Sequence, residues 1–192
     1  ALKKNPDLKY EHISMVLYHD IGLKRSQQMF SDLNRFAIRP TQSLNILYDN
    51  RDDLSLIVKD VIESIPEFSD LIDKEHTSIP NRSVALFTLS ALYRGTASLL
   101  KGLDLTIDEQ YSLAANFWKN VYNSMPEWKA VSAQKVKSSV IRKNSLSPLS
   151  ITIKAIGEIG NELFRSNEAS MYDRIERLSS IDLQKSNPSW NN

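Results

Sequence analysis

Asp32, Asn34, Arg35 and Arg39 crowd one short stretch of this 192-residue chain, the end of an amphipathic segment and the turn that follows it. Two guanidiniums, a carboxylate and an amide in one turn can hold an anion or a base edge, with arginine offering a forked donor to phosphate. The same residues can also simply cap two helices. Two further groups of cations stand out. Lys24 and Arg25 precede the turn. Lys135, Lys137, Arg142 and Lys143 belong to Trp128–Gly157, which holds six bases and no acid and so carries +6. Its counterpart is Asp49–Glu75, with nine acids against three bases, or −6. Such asymmetry either marks an interaction face or reflects two solvated runs that pair with each other.

Other chemistry has less support. His12, His19 and His76 lack metal-ligand spacing, and with no cysteine there is no thiolate site, disulfide or cysteine nucleophile. His19-Asp20 could act as a metal or general-base pair, but a turn histidine beside an aspartate is ordinarily structural. Asp52-Asp53 reads as helix capping rather than metal binding. Neither a phosphate loop nor a nucleophile elbow is present, and Gly157 and Gly160 are too sparse to cradle a phosphate. No catalytic residue and no metal ligand is therefore assigned.

The elements that must position these groups read as helices. Ser26 is a candidate N-cap for a helix whose stripe is Met29, Phe30, Leu33 and Phe36, ended by Arg39-Pro40. Thr41 opens a second, with Leu44, Leu47 and Tyr48 on one side. Arg51–Ile65 is amphipathic, with Asp52 and Asp53 in its first turn. Pro66–Pro80 is a polar connector with a short β piece around Leu71–Asp73. Asn81 or Ser83 caps a helix that runs to Lys101 and ends at Gly102. Thr106 and Glu109 form a capping box for a helix to about Ser124. Glu127–Ala133 is a short helix, and Gln134–Leu146 is a loop or a turn of helix. Ser147-Pro148 opens another helix, to about Phe164, with proline at its first position. Ala155, Gly157 and Gly160 suggest that it packs closely. Met171–Ile181 closes the helical run, and Leu183–Asn192 is a tail anchored by Trp190. One convincing strand remains, His12–Tyr18. No long apolar run suggests a membrane span.

Three stretches carry a family resemblance. QQMFSDLNRFAIRPTQSL followed by LYDNRDD, NRSVALFTLSALYRGTASLLKG at Asn81–Gly102, and SIDLQKSNPSW at Ser180–Trp190 resemble the DndB family. That family is the regulatory member of bacterial DNA phosphorothioation clusters. It belongs to the DGQHR-domain group, similar at a distance to the ParB-like fold. The Asp-Gly-Gln-His-Arg signature that names the group is absent here, and in the family it lies upstream of a segment like Leu2–Tyr18. The chain thus reads as the C-terminal part of a longer protein.

The helical segments against one strand read as a mainly α fold, a multi-helix domain, and the resemblance implies that its small β remnant at the N-terminal end belongs to a ParB-like α/β sheet. Residues 1–50 would be the C-terminal end of the DGQHR/ParB-like module and residues 51–192 a helical domain packed on it. It also implies a cytoplasmic repressor that binds its own promoter DNA, without catalysis of sulfur transfer. Other modification proteins are possible partners, and the repressor could be a homo-oligomer. Aligning Arg39-Pro40 with the Asn-Pro of the ParB-like nucleotide motif puts Arg35 on its arginine, Asp32 on its asparagine and Ser31 on its glutamate. Only the arginine is kept. A phosphate contact at Arg35 is therefore the part of that motif carried over. The competing readings are a nucleotide-binding ATPase or CTPase switch, whose nucleotide and hydrolysis would belong to the full-length protein, and a helical scaffold. Gln27, Asn34 and Gln42 carry amides suited to base edges, although helix-surface amides are commonly bystanders.

Overall fold

Threonine and aspartate set the helix starts of this protein. In the computed structural model, which describes Met15 and residues 22–35, 40–166 and 171–190, four helices begin with the same device. Each has an N-cap side chain that accepts the N–H three residues on: Thr41 from Leu44, Asp52 from Ser55, Thr88 from Ala91 and Thr106 from Glu109. The chain divides into two units, Ala1–Arg39 and Pro40–Asn192. In the first, α1 spans Leu23–Arg35. Ser26 lies inside it rather than at its cap, because the helix starts just after Gly22, whose φ is +130°. Phe30, counted in its apolar stripe, is exposed. The strand expected at His12–Tyr18 lies outside the described residues apart from Met15.

The second unit contains α2 (Gln42–Tyr48), α3 (Asp53–Ser64), α4 (Phe68–Leu71), β1 (Ile72–Asp73), β2 (Phe87–Thr88), α5 (Leu89–Leu100), α6 (Ile107–Asn123), α7 (Pro126–Ser132), α8 (Ser138–Asn144), α9 (Ser150–Arg165) and α10 (Met171–Glu176), the last followed by 3-10 turns at Arg177–Ser180 and Pro188–Trp190. Helix predominates, as the pattern of apolar stripes predicts. The β1–β2 pair is parallel, with Ile72 opposite Phe87 and Asp73 opposite Thr88.

α5 and α9 come into close backbone contact. A Cβ placed on Gly157 would lie 2.1 Å from the Gly95 carbonyl oxygen, so the two backbones touch where neither residue has a side chain. Trp118 fills the space beside them and donates its indole N–H to Thr96 Oγ1 at 3.0 Å. A second aromatic layer joins Phe68, Phe87, Tyr122 and Trp128, mostly edge to face. Of the stripe that the spacing predicts for α3, Ile57, Val58, Val61, Ile62 and the C-cap Ile65 are buried, and Leu54 is half-buried.

Four expected features come out differently. α2 buries Ser43 and Ile46, and Tyr48 is exposed. Ser43 Oγ accepts the Ser90 N–H and donates to the His76 carbonyl, so a polar residue faces the start of α5. The helix after Pro80 starts at Leu89 with Thr88 as its cap, not at Asn81 or Ser83. Leu86 N–H instead bonds the Leu71 carbonyl at 2.7 Å, leading the chain into β2. Pro66–Pro80 is not wholly a polar connector: Phe68 and Leu71 of α4 are core, although β1 falls where a β piece is expected. Finally, Pro148 is not the first residue of α9, which begins at Ser150. Ser145 and Ser147 are fully buried and donate to Glu127 Oε2 at 2.6 and 2.5 Å, which holds the loop out of helix. The capping box at Thr106–Glu109 and Gly102 at φ +64° after α5 stand as expected.

Asp52 gives the fold an acid sensitivity. Hydrogen bonds from the Ser55 hydroxyl outweigh the cost of burial, and with those from the Tyr93 hydroxyl and the backbone hold its carboxyl below the ordinary value of 3.8. A lowered folded pKa means stability that is complete above the unfolded pKa and lost as pH falls through the folded one. Asp52→Ala should therefore lower stability by about 1 kcal/mol at neutral pH. It should also flatten the acid limb below about pH 4. Thermal melts from pH 7 to 3 check this; parallel limbs in the two proteins would contradict it.

Candidate nucleic-acid interface

The basic run folds around the end of α7. That helix ends in a Schellman turn: Gln134 N–H bonds the Val131 carbonyl at 2.8 Å and Lys135 N–H the Ala130 carbonyl at 2.9 Å. The turn places Gln134 in the left-handed region, at φ +56°. Lys135, Val136 and Lys137 then lead into α8, which carries Arg142 and Lys143. Lys129, Lys135, Lys137 and Lys143 are exposed. Lys154 ion-pairs with Glu158 at 3.1 Å. The other ion pair among the described residues is His76–Asp73, so no direct pair joins the basic run to the acidic Asp49–Glu75 segment.

Arg142 departs from its expected role as an exposed cation. Its guanidinium turns inward and donates to four backbone carbonyls, Pro80 and Asn81 at 3.0 Å each, Ser83 at 3.1 Å, and Ala85. It also donates to Ser138 Oγ at 3.1 Å, and Ser138 in turn donates to the Ser83 carbonyl at 2.7 Å. Burial pulls the Arg142 pKa down and Asp73 opposes that shift. Asp73 itself would be raised by burial. The N–H groups of His76 and Glu75, helped by the His76 ring, outweigh this and hold it low. Arg142 is thus the tie that shapes the 80–85 segment. Lys185 plays a related part, its ammonium meeting the Arg142 and Lys143 carbonyls at 3.0 Å at the end of α8.

Beside the segment that Arg142 ties down opens a cleft of about 780 Å³. Its walls are the end of α4, the 81–84 loop, the end of α7 and the start of α8. Arg82, Ser132 and Gln134 line it beside Lys137, and of these only Lys137 was singled out from the sequence. Sequence offered one overlooked signal: Gln134, two residues past the end of α7, stands where a glycine is usual.

The turn-segment candidates fare differently. Lys24 and Arg25 are exposed in the first turn of α1. Asp32 Oδ1 accepts a hydrogen bond from Gln28 Nε2 at 2.8 Å. Asn34 and Arg35 lie in α1, but their side chains, like all of Arg39, fall outside the described structure, and so does any pocket around them. Gln42 Oε1 accepts from Arg94 Nη2 at 2.5 Å, a link within the second unit. His76 faces Asp73, whereas His12 and His19 are not described. Among the described residues no group of three histidines and acids sits together as a metal site, and no helix is long and apolar enough to cross a membrane.

The family model for DndB, described as DNA-sulfur modification-associated, matches residues 1–192. The chain belongs to the DndB family. Neither a search of curated proteins nor one of solved structures found a match. Membership of the DndB family spans the whole chain, including the exposed lysines, the tied Arg142 and the cleft. It associates the protein with DNA sulfur modification.

Proposed function

We propose that this DndB-family chain is a DNA-binding regulator, a repressor that acts on the promoter of a DNA phosphorothioate modification gene cluster. The observation that carries this reading is the set of exposed lysines, Lys135, Lys137 and Lys143, in a segment without an acid and without a carboxylate partner among the described residues. Exposed, unpaired cations bind the phosphate backbone by releasing counterions. Lys24 and Arg25 would add contacts from the first unit. Such a regulator works where the DNA is, in the cytoplasm, and other modification proteins are its natural partners.

The test is a salt series. The triple variant Lys135→Ala, Lys137→Ala, Lys143→Ala should bind promoter and scrambled duplexes more weakly by the same factor. The slope of log affinity against log salt should fall by about 0.9 per lost phosphate contact, or roughly 2.7 for three. Its stability should stay within about 0.5 kcal/mol of the parent, as for exposed positions generally. A slope equal to the parent's would remove these lysines from the interface.

A further inference from the structure

We propose that the cleft between the 81–84 loop, α7 and α8 is a binding site for a small phosphate-bearing molecule of nucleotide size. This goes beyond the DNA-binding reading, since it names a separate ligand and a concave site for it. The cleft volume, about 780 Å³, falls in the range of small-molecule sites, about 300–1,000 Å³. Duplex DNA needs a broad surface instead.

The lining suits such a ligand in three respects. First, Arg82 of the 81–84 loop and Lys137 at the start of α8 both line the cleft, and among the described residues neither side chain has a hydrogen-bond or ion-pair partner. A guanidinium fork with a lysine point charge is a phosphate-binding pair. Asp70 is the one acid in the lining, so with Arg82 and Lys137 a cationic excess remains. Second, the exposed Val84 and the half-buried Val136 give the cleft an apolar side against which a flat ring can lie. Third, one polar group of the lining lacks a partner. Ser132 Oγ is buried and finds no hydrogen-bond partner among the described residues. A buried hydroxyl left without a partner is costly, and a turn of the Ser132 side chain toward the cleft would let a ligand atom satisfy it.

Gln134 makes the argument sharper. Its position, the residue just past a helix end at φ +56°, favours glycine, and glutamine there is strained. The fold gains nothing visible from the side chain. Strain held at a cleft is a reason to look for a function. An amide at this point can read the polar edge of a ring. The walls are also fixed in advance, since the Arg142 guanidinium and the Ser138 hydroxyl tie the 80–85 segment to α8. Less ordering is then required on binding.

The experiment uses the full chain without DNA. ATP, GTP, CTP and inorganic phosphate are titrated by calorimetry. At least one nucleotide should bind saturably and at least tenfold more tightly than inorganic phosphate. Arg82→Ala and Lys137→Ala should each weaken it tenfold or more with an unchanged Tm. Gln134→Gly should do the opposite to the two readouts, raising Tm while lowering affinity. The proposal is overturned if no nucleotide outbinds inorganic phosphate. It is overturned if the arginine and lysine variants bind as the parent does, or if Gln134→Gly gains stability at unchanged affinity. It also fails if a short duplex displaces the nucleotide and Arg82→Ala weakens the duplex alone, which would make the cleft part of the DNA face. Because nucleotide is measured without DNA, this result and that of the lysine salt series stand apart.

Discussion

Gly157→Ala should destabilise the protein by roughly 3 kcal/mol or more, the upper end of what overpacking costs. The added methyl would sit 2.1 Å from the Gly95 carbonyl oxygen and 2.9 Å from its carbonyl carbon. Those atoms are backbone of α5, so no rotamer change relieves the clash; the two helices must separate. Separation would open the packing around Trp118 and Ile153, both fully buried at this crossing. Helix propensity alone predicts the reverse, a gain of about 0.8–1 kcal/mol for alanine over glycine. The sign of the effect therefore decides which physics governs. In a chain of this size the loss corresponds to a fall in Tm of roughly 6–12 °C. Gly160→Ala meets the Phe117 ring at 2.4 Å and should cost less, because a ring can shift. Thermal melts followed by circular dichroism rank the two. A Gly157→Ala protein melting at or above the parent would mean the crossing is looser than described.

Those two glycines also show what a sequence can reveal. Their small size near Ala155 signals close packing, and the close approach is there at Gly157 and Gly160, while Ala155 is exposed. Local signals of this kind carried over well. The capping box at Thr106 and Glu109, the α3 stripe and the glycine after α5 each depend on residues within one or two turns, and each stands in the structure. The failures in the second unit are non-local. Nothing near Asn81 reveals that Arg142, some sixty residues on, will satisfy the carbonyls of this segment. Without that tie the run from Asn81 reads as helix. Similarly, Ser147-Pro148 reads as a helix start until Glu127 draws the Ser145 and Ser147 hydroxyls inward.

The candidate site divides along the same line. Lack of acids in the Trp128–Gly157 run is a compositional fact, and it foretold exposed lysines at 135, 137 and 143. The cleft could not be foretold, because Arg82, Ser132 and Lys137 come from separate elements that only the fold brings together. Charge counting also misplaced Arg142, since composition does not say which cation of a run will turn inward.

Arg142→Ala should accordingly behave as a folding defect, unlike its neighbour Lys143→Ala. Removing the guanidinium leaves the carbonyls of Pro80, Asn81, Ser83 and Ala85 without their shared donor. Hydrogen bonds to a charged group contribute about 1.5–3 kcal/mol each, but these carbonyls are partly open to water, which replaces some of them. A net loss of about 2–4 kcal/mol is expected. Arg142→Lys keeps the charge and loses the fork, so it should recover less than half of that. Lys143→Ala should stay within about 0.5 kcal/mol of the parent. In DNA binding the order reverses. Measured well below the Tm, where the chain stays folded, Arg142→Ala should leave the salt slope unchanged, because the guanidinium already lies on carbonyls and has no hand free for phosphate. Lys143→Ala should lower the slope by about 0.9. If Arg142→Ala melted with the parent and shared the lysine's loss of slope, the guanidinium would be a phosphate contact and the tie to the 80–85 segment incidental.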